Sequence, residues 1–255
     1  MNSVPPTALI TGASRGLGRA LAGRLAEQGW RLLLTGRTPD DLALAAAELA
    51  RAAPTADVVA RAGDVADAAH REELVGVVTR WGRLDLLVNN ASTLGPTPLH
   101  RLEDLTPEAL SRILAVNVVG PHALTRAMVP LLRSDGGVVL DISSDAAVEH
   151  YEAWGGYAAS KAALDRLALT LGTELSGIRA YAFDPGDMRT AMHQEAFPAE
   201  DISDRPLPED VAVPAILDLL ARRPPSGRYR AGDLPQDRPD ARSPEVTSTT
   251  PGDVA

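Results

Sequence analysis

The sequence contains no cysteine. A disulfide framework is therefore excluded, and so is any chemistry that needs a thiolate. Basic charge is also short: 25 Lys and Arg stand against 34 Asp and Glu, for a net charge of −9. A nucleic-acid binder needs a basic face, so no nucleic-acid partner is expected. No stretch of about 20 apolar residues occurs, so no membrane span is expected either. The opening Met1-Asn2-Ser3-Val4-Pro5-Pro6 has neither a basic region nor an apolar run, which argues against a secretory signal. His70, His100, His122, His150 and His193 include no pair at helical ligand spacing, and no metal site is expected. There is no internal repeat. The default is a soluble cytoplasmic protein.

What is present is a 255-residue chain, 45% hydrophobic, long enough to bury a sizeable core. Short apolar runs at 7–10, 31–35, 57–60, 84–88, 137–142, 180–183 and 228–230 alternate with amphipathic stretches. That alternation predicts an α/β fold with a doubly wound parallel sheet of about seven strands, right-handed crossovers and helices on both faces. One domain should span residues 1–233, with an irregular segment at about 188–207 acting as a substrate flap. From Leu234 to Ala255, Pro, Asp, Ser and Thr dominate, and the tail is expected to be disordered.

The first apolar run ends in Thr11-Gly12-Ala13-Ser14-Arg15-Gly16-Leu17-Gly18, and an amphipathic stretch follows. A glycine-rich turn between strand and helix lets a pyrophosphate approach backbone amides at the helix N-terminus. Glycines also close ordinary tight turns, so the pattern has two readings. The second run ends in Gly36-Arg37, where dinucleotide folds meet the adenosine ribose. No acid stands there to take a 2′-hydroxyl. Arg37 and Arg15 either converge on a 2′-phosphate or are solvated surface cations. Further on, Pro121 lacks the N–H that would bond the Asn117 carbonyl. The helix is expected to bend there, freeing that carbonyl to hold a water.

Tyr157 and Lys161 sit four residues apart at the head of a strongly apolar helical stretch, hence on one face. A free tyrosine has a pKa of about 10, so only ~1 in 1000 is ionised at neutral pH. A neighbouring ammonium favours the phenolate and would make the phenol a usable acid and base. Tyr-x-x-x-Lys alone is common on ordinary helices.

Together these motifs resemble the short-chain dehydrogenase/reductase family, in that family's order and spacing, over roughly residues 5–232. Thr11 to Gly18 is similar to its cofactor turn, and Asn89-Asn90-Ala91 to its central-strand motif. Asn117 resembles its helix asparagine, and Ser144 its serine thirteen residues before the tyrosine. Tyr157 and Lys161 resemble its signature pair. Pro185-Gly186 and Thr190 resemble its nicotinamide-side turn.

The resemblance implies a single-domain Rossmann-like fold and a catalytic set of Asn117, Ser144, Tyr157 and Lys161. It implies cofactor contacts from Gly12, Ser14, Arg15, Gly16, Leu17, Gly18, Arg37, Asp64, Val65, Asn90, Ala91, Tyr157, Lys161, Pro185, Gly186, Met188 and Thr190. The cofactor expected is NADP(H) rather than NAD(H), and the substrate a small carbonyl or alcohol compound. Tyr157 would exchange the proton on the substrate oxygen and Ser144 would hydrogen-bond that oxygen. Lys161 would hold the nicotinamide ribose and lower the Tyr157 pKa, with Asn117 holding a water that links Lys161 to solvent. A homodimer or homotetramer is expected on the same ground.

Two positions depart from the family pattern. Ser92 stands where Asn-Asn-Ala is usually followed by Gly, and Asp141 where the strand often carries Asn. Tyr151, Trp154, His150, Met192 and Phe197 are candidates for lining the substrate pocket. A catalytically silent NADP(H)-binding regulator is the alternative function, though it would be marked by loss of Tyr157 or Lys161. A nucleotide-sugar epimerase or dehydratase is a third, and it would need another glycine spacing and a longer substrate domain.

Overall fold

The structure, a computed structural model, describes residues 4–132 and 136–234. All but Leu234 of the expected disordered tail lies outside the described residues.

Seven strands form one parallel sheet: β1 (Thr7–Thr11), β2 (Arg31–Gly36), β3 (Val58–Ala62), β4 (Leu86–Asn89), β5 (Gly137–Ile142), β6 (Ile178–Asp184) and β7 (Gly227–Arg230). Their spatial order is β3-β2-β1-β4-β5-β6-β7. β1, β4 and β5 are buried along their whole length, because helices cover both faces and each strand is a continuous apolar run. Successive side chains point to opposite faces. Ala8, Ile10, Leu32, Leu34, Leu86 and Val88 enter one core, while Leu9, Leu33, Leu87 and Val139 enter the other. The first core is closed by α1 (Gly16–Glu27), α2 (Pro39–Ala52) and α8 (Ala212–Arg222). The second is closed by α3 (Ala68–Trp81), α5 (Gly120–Met128) and the C-terminal turn of α6 (Gly155–Glu174).

Two expectations about the backbone change. The helix through Asn117 does not simply kink at Pro121. α4 (Pro107–Leu114) runs into a π-helical turn, Ala115–Val119, and then into α5. Gly120 N–H bonds the Ala115 carbonyl, five residues back, so the missing Pro121 donor is absorbed by widening the helix one turn earlier. The segment 188–207 is also less irregular than expected. It contains the short helix α7 (Ala191–Ala196), capped by Thr190 Oγ1, which accepts from His193 N at 3.2 Å. Ile202 anchors the rest by burial.

The order reverses between β1 and β4, which part to opposite sides there and open a crevice at their C-terminal ends. Thr11 ties the two strands at that point: its Oγ1 donates to Val88 O and accepts from Asn90 N and Ala91 N. Asn90 Nδ2 returns to Thr11 O and Gly12 O, each at 2.9 Å. Gly18 makes this approach possible. A Cβ there would lie 2.5 Å from both Asn90 Nδ2 and the Gly12 carbonyl oxygen. Gly18→Ala should therefore cost roughly 1–3 kcal/mol, as overpacking against backbone does. Thermal unfolding followed by circular dichroism should show Tm lower by several degrees. An unchanged Tm would mean that α1 shifts away freely.

Candidate active site

The crevice widens into a cavity of about 530 Å³. One end is built from the β1–α1 turn. Gly12 and Gly16 there have φ of +65° and +56°, values that side-chain-bearing residues rarely adopt. Arg15, at the N-cap of α1, makes no side-chain capping bond. The first amides of a helix have no partner within it, so this terminus presents free donors to the cavity edge. Free amides and side-chain-less turn positions suit this cradle to a pyrophosphate. Arg37, Thr38 and Asp41 line the same end, with Asp64 and Val65 beside them. Arg112 and the Ala66 amide hold the Asp64 carboxyl below its ordinary pKa, against the opposing effect of burial.

The other end collects the groups that can do chemistry. Ser144 arrives from the end of β5, Tyr157 and Lys161 from the first turns of α6, and Pro185, Gly186, Met188 and Thr190 from the segment after β6. Ser14, Leu17, Asn90 and Ala91 also line the cavity. Three expected residues do not reach it. His150 stays outside the cavity wall. Gly18 lies behind the wall, under Asn90. Asn117 is buried in the π turn, where its side chain accepts from Thr93 N and donates to Thr93 O and Ser160 Oγ at 2.8–2.9 Å. It fixes the loop after β4 against α6. Arg15 and Arg37 both line the cavity, and the exposed Arg15 guanidinium also pairs with Glu195 of α7 at 3.1 Å.

Electrostatics correct one expectation outright. Lys161 does not lower the Tyr157 pKa in this arrangement. Burial pushes the phenol well above its ordinary 10.0, outweighing the hydroxyls of Ser144 and Ser92, and the Asp145 and Asp184 carboxylates push the same way as burial. Lys161 Nζ donates to the Ile142 carbonyl oxygen at 2.7 Å and stands 5.5 Å from the Tyr157 ring centroid. Burial lowers the ammonium pKa to about 8. The spacing of the pair was sound, but desolvation acts on both groups and disfavours both charged forms.

A second layer stands behind this wall and could not be read from local spacing. Arg228 of β7 donates from Nε to Asp165 at 2.9 Å, and from its terminal nitrogen to Ser144 O at 2.9 Å and Asp184 at 3.2 Å. One guanidinium thus joins β5, α6 and β6 beneath the site. The only trace in sequence is two arginines in a short terminal strand. Asp145 was likewise not anticipated: it accepts from Ser144 Oγ at 2.9 Å and Tyr151 Oη at 2.8 Å. The aromatic candidates do converge. Trp154 packs edge-on against Tyr157 at 5.6 Å and tilted against Phe197 at 5.7 Å, and Tyr151 and Met192 complete that wall.

Similarity to known proteins agrees with this architecture. The family model described as short chain dehydrogenase matches residues 6–201. Sepiapterin reductase of Meriones unguiculatus is 33% identical over 199 residues, covering 74% of this chain and 76% of that one. Sorbitol dehydrogenase of Cereibacter sphaeroides is 35% identical over 187 residues, covering 71% and 69%. The solved alcohol dehydrogenase of Thermococcus sibiricus, complexed with 5-hydroxy-NADP, superposes with a TM-score of 0.79 at 30% identity, covering 89% of this chain and 96% of that one.

Asp141 carries a consequence for stability. Its carboxyl accepts from Asn89 Nδ2 at 2.7 Å, and burial raises its pKa from the ordinary 3.8 to about 7, against the pull of Asn89 and Lys161. The native state therefore holds a proton that the unfolded chain releases between 3.8 and about 7. Stability should fall as pH rises through that window. Asp141→Asn should flatten the dependence, and by pH 8 should exceed the wild type by a few kcal/mol at most. Urea denaturation at pH 5 and pH 8 measures both. Parallel pH profiles for the two proteins would show that Asp141 ionises without cost.

Proposed function

The chain belongs to the short-chain dehydrogenase family, and on that footing we propose that it is an NADP(H)-dependent oxidoreductase acting on a ring-bearing carbonyl or alcohol. The observation that carries this reading is the convergence of Ser144, Tyr157 and Lys161 on the far wall of a cleft whose near end is the uncapped N-terminus of α1. Among the described residues no helix is long and apolar enough to cross a membrane, and no cluster of metal-ligating side chains occurs. Members of the family act on small molecules with a nicotinamide cofactor.

When bound, the cofactor supplies or receives hydride at the carbon of the reacting carbonyl or carbinol. The chain supplies placement and the proton. Tyr157 gives its phenolic proton to the substrate oxygen in reduction and takes it back in oxidation. Ser144 holds that oxygen, and turns its hydroxyl from Asp145 to do so. Lys161 has three donors, of which Ile142 takes one, leaving two for ribose hydroxyls. Arg37 is placed for a 2′-phosphate, a dianion it can meet with a planar fork of donors. The Trp154 and Phe197 rings form an apolar wall beside Tyr157, which favours a planar or ring-bearing group next to the reacting carbon. The segment 188–207 closes over that group as a flap.

Two tests follow. A carbonyl screen read by NADPH absorbance identifies a working substrate. Tyr157→Phe should then lower kcat by about 10²–10⁴-fold with NADPH binding retained, whereas Lys161→Met should lower kcat and weaken NADPH binding in fluorescence titration. Wild-type turnover in Tyr157→Phe would remove Tyr157 as the acid. Separately, kcat/KM should favour NADPH over NADH, and Arg37→Asp should erase or reverse that preference by replacing attraction with repulsion. Equal use of both cofactors by the wild type would remove the case for Arg37.

A further inference from the structure

Ser92 follows Asn90 and Ala91 at the C-terminal end of β4 and lines the same cavity as Tyr157. Its Oγ is fully buried and completes no hydrogen bond within the chain, and the group it acts on is the Tyr157 phenol. A buried hydroxyl left in this state costs about 1–3 kcal/mol, so it persists where something outside the resting structure uses it. The neighbouring polar groups are all committed. Asn90 holds the glycine turn, Thr93 holds Asn117, and Ser144 is shared between Asp145 and the Ala146 amide. The Ser92 hydroxyl faces the Tyr157 phenol, closely enough to lower its pKa but without completing a hydrogen bond in the resting geometry. It approaches from the loop after β4, whereas Ser144 approaches from the end of β5.

We propose that Ser92 is a second catalytic hydroxyl, which donates to the oxygen that carries the negative charge as the proton leaves Tyr157. This rests on the reading of Tyr157 as the proton donor. The reason is one of charge balance. Proton transfer from Tyr157 to the substrate oxygen leaves a phenolate in a site from which water is largely excluded. Asp145 and Asp184 oppose that charge, Lys161 donates to the Ile142 carbonyl rather than to the phenol, and His100 shares a small cleft with the ring on another side. A neutral donor already buried and aimed at the phenol stabilises the anion without reorganisation. Ser144 cannot serve both oxygens at once, because it must hold the substrate oxygen. With two hydroxyls, one takes the substrate oxygen and the other the phenolate.

Three variants test this: Ser92→Ala, which deletes the hydroxyl; Ser92→Gly, which also deletes Cβ; and Ser92→Thr, which restores a hydroxyl. Far-ultraviolet circular dichroism and Tm establish that each folds. Two quantities are then measured. One is the pH dependence of kcat for NADPH-driven reduction of the best carbonyl from the screen. The other is NADPH affinity by fluorescence titration, with KM for the carbonyl beside it. Ser92→Ala and Ser92→Gly should lower kcat at neutral pH by about 10–100-fold, toward the lower end of what one oxyanion donor contributes. KM and NADPH affinity should stay close to the wild type, because the donor acts only as charge develops in the transition state, and Ser92→Thr should recover most of kcat. A Ser92→Ala profile that overlays the wild type overturns the proposal. So does a loss of kcat that comes with weakened NADPH binding and no recovery in Ser92→Thr, since that is the signature of packing alone. The underlying reading fails separately: if Tyr157→Phe turns over normally, the proton donor is misassigned whatever Ser92 does.

Discussion

A single buried ammonium sets the terms for the chemical half of this protein. Lys161 is 2% exposed, and burial of an unpaired cation is among the costliest things a fold can do. Everything around it lessens that cost. The Ile142 carbonyl takes one proton donor, and the Asp165 and Asp141 carboxyls favour its charged form. Asp165 is then itself a buried acid that needs a partner, and Arg228 provides it. Asp184, almost fully buried at the end of β6, draws on the same guanidinium. The polar groups thus form one connected set, in which removing any member strands another without compensation.

The sheet explains why this set could be assembled at all. In a parallel sheet every strand ends on the same edge, so β5, β6 and β7 deliver Ser144, Asp184 and Arg228 side by side. On the other side of the switch point, β1 and β2 deliver the glycine turn and Arg37. The two groups meet at β4, where Thr11 and Asn90 lock the strands together by hydrogen bonds of 2.9–3.2 Å. The glycine turn and the Tyr157–Lys161 pair are therefore neighbours because of strand order, although they lie more than a hundred residues apart in the chain.

The same point explains which features were legible in the sequence. The seven strands, their parallel order and the covering of both faces follow from short apolar runs alternating with amphipathic ones. The glycine turn and the Tyr157–Lys161 pair are local patterns, and both are found on the cavity wall. What escaped were consequences of register and burial. Asp184 sits opposite Arg230 only because β6 and β7 pair in that register, and nothing near Arg228 in sequence announces Ser144. The direction of the Tyr157 pKa was misjudged because proximity to Lys161 was legible and desolvation was not. For Asn117 the proline pointed to a backbone carbonyl; what the sequence did not announce is that the π turn brings its side chain onto Thr93 and Ser160.

Arg228 has a further consequence that concerns time rather than space. Domains form progressively as the chain is made, N-terminal parts first. The glycine turn, Arg37 and Asn90 are all synthesised within the first ninety residues. Arg228 comes on the last strand of the sheet, after Lys161, Asp165 and Asp184 have long been exposed to solvent. Until it arrives, the nascent chain holds two carboxylates that cannot be buried without their counter-charge. The half built on β1 and β2 can close early, while the half around Lys161 must wait for the final strand. A ribosome-bound intermediate of this protein would thus have its glycine turn in place while the surroundings of Lys161 still stood open to water.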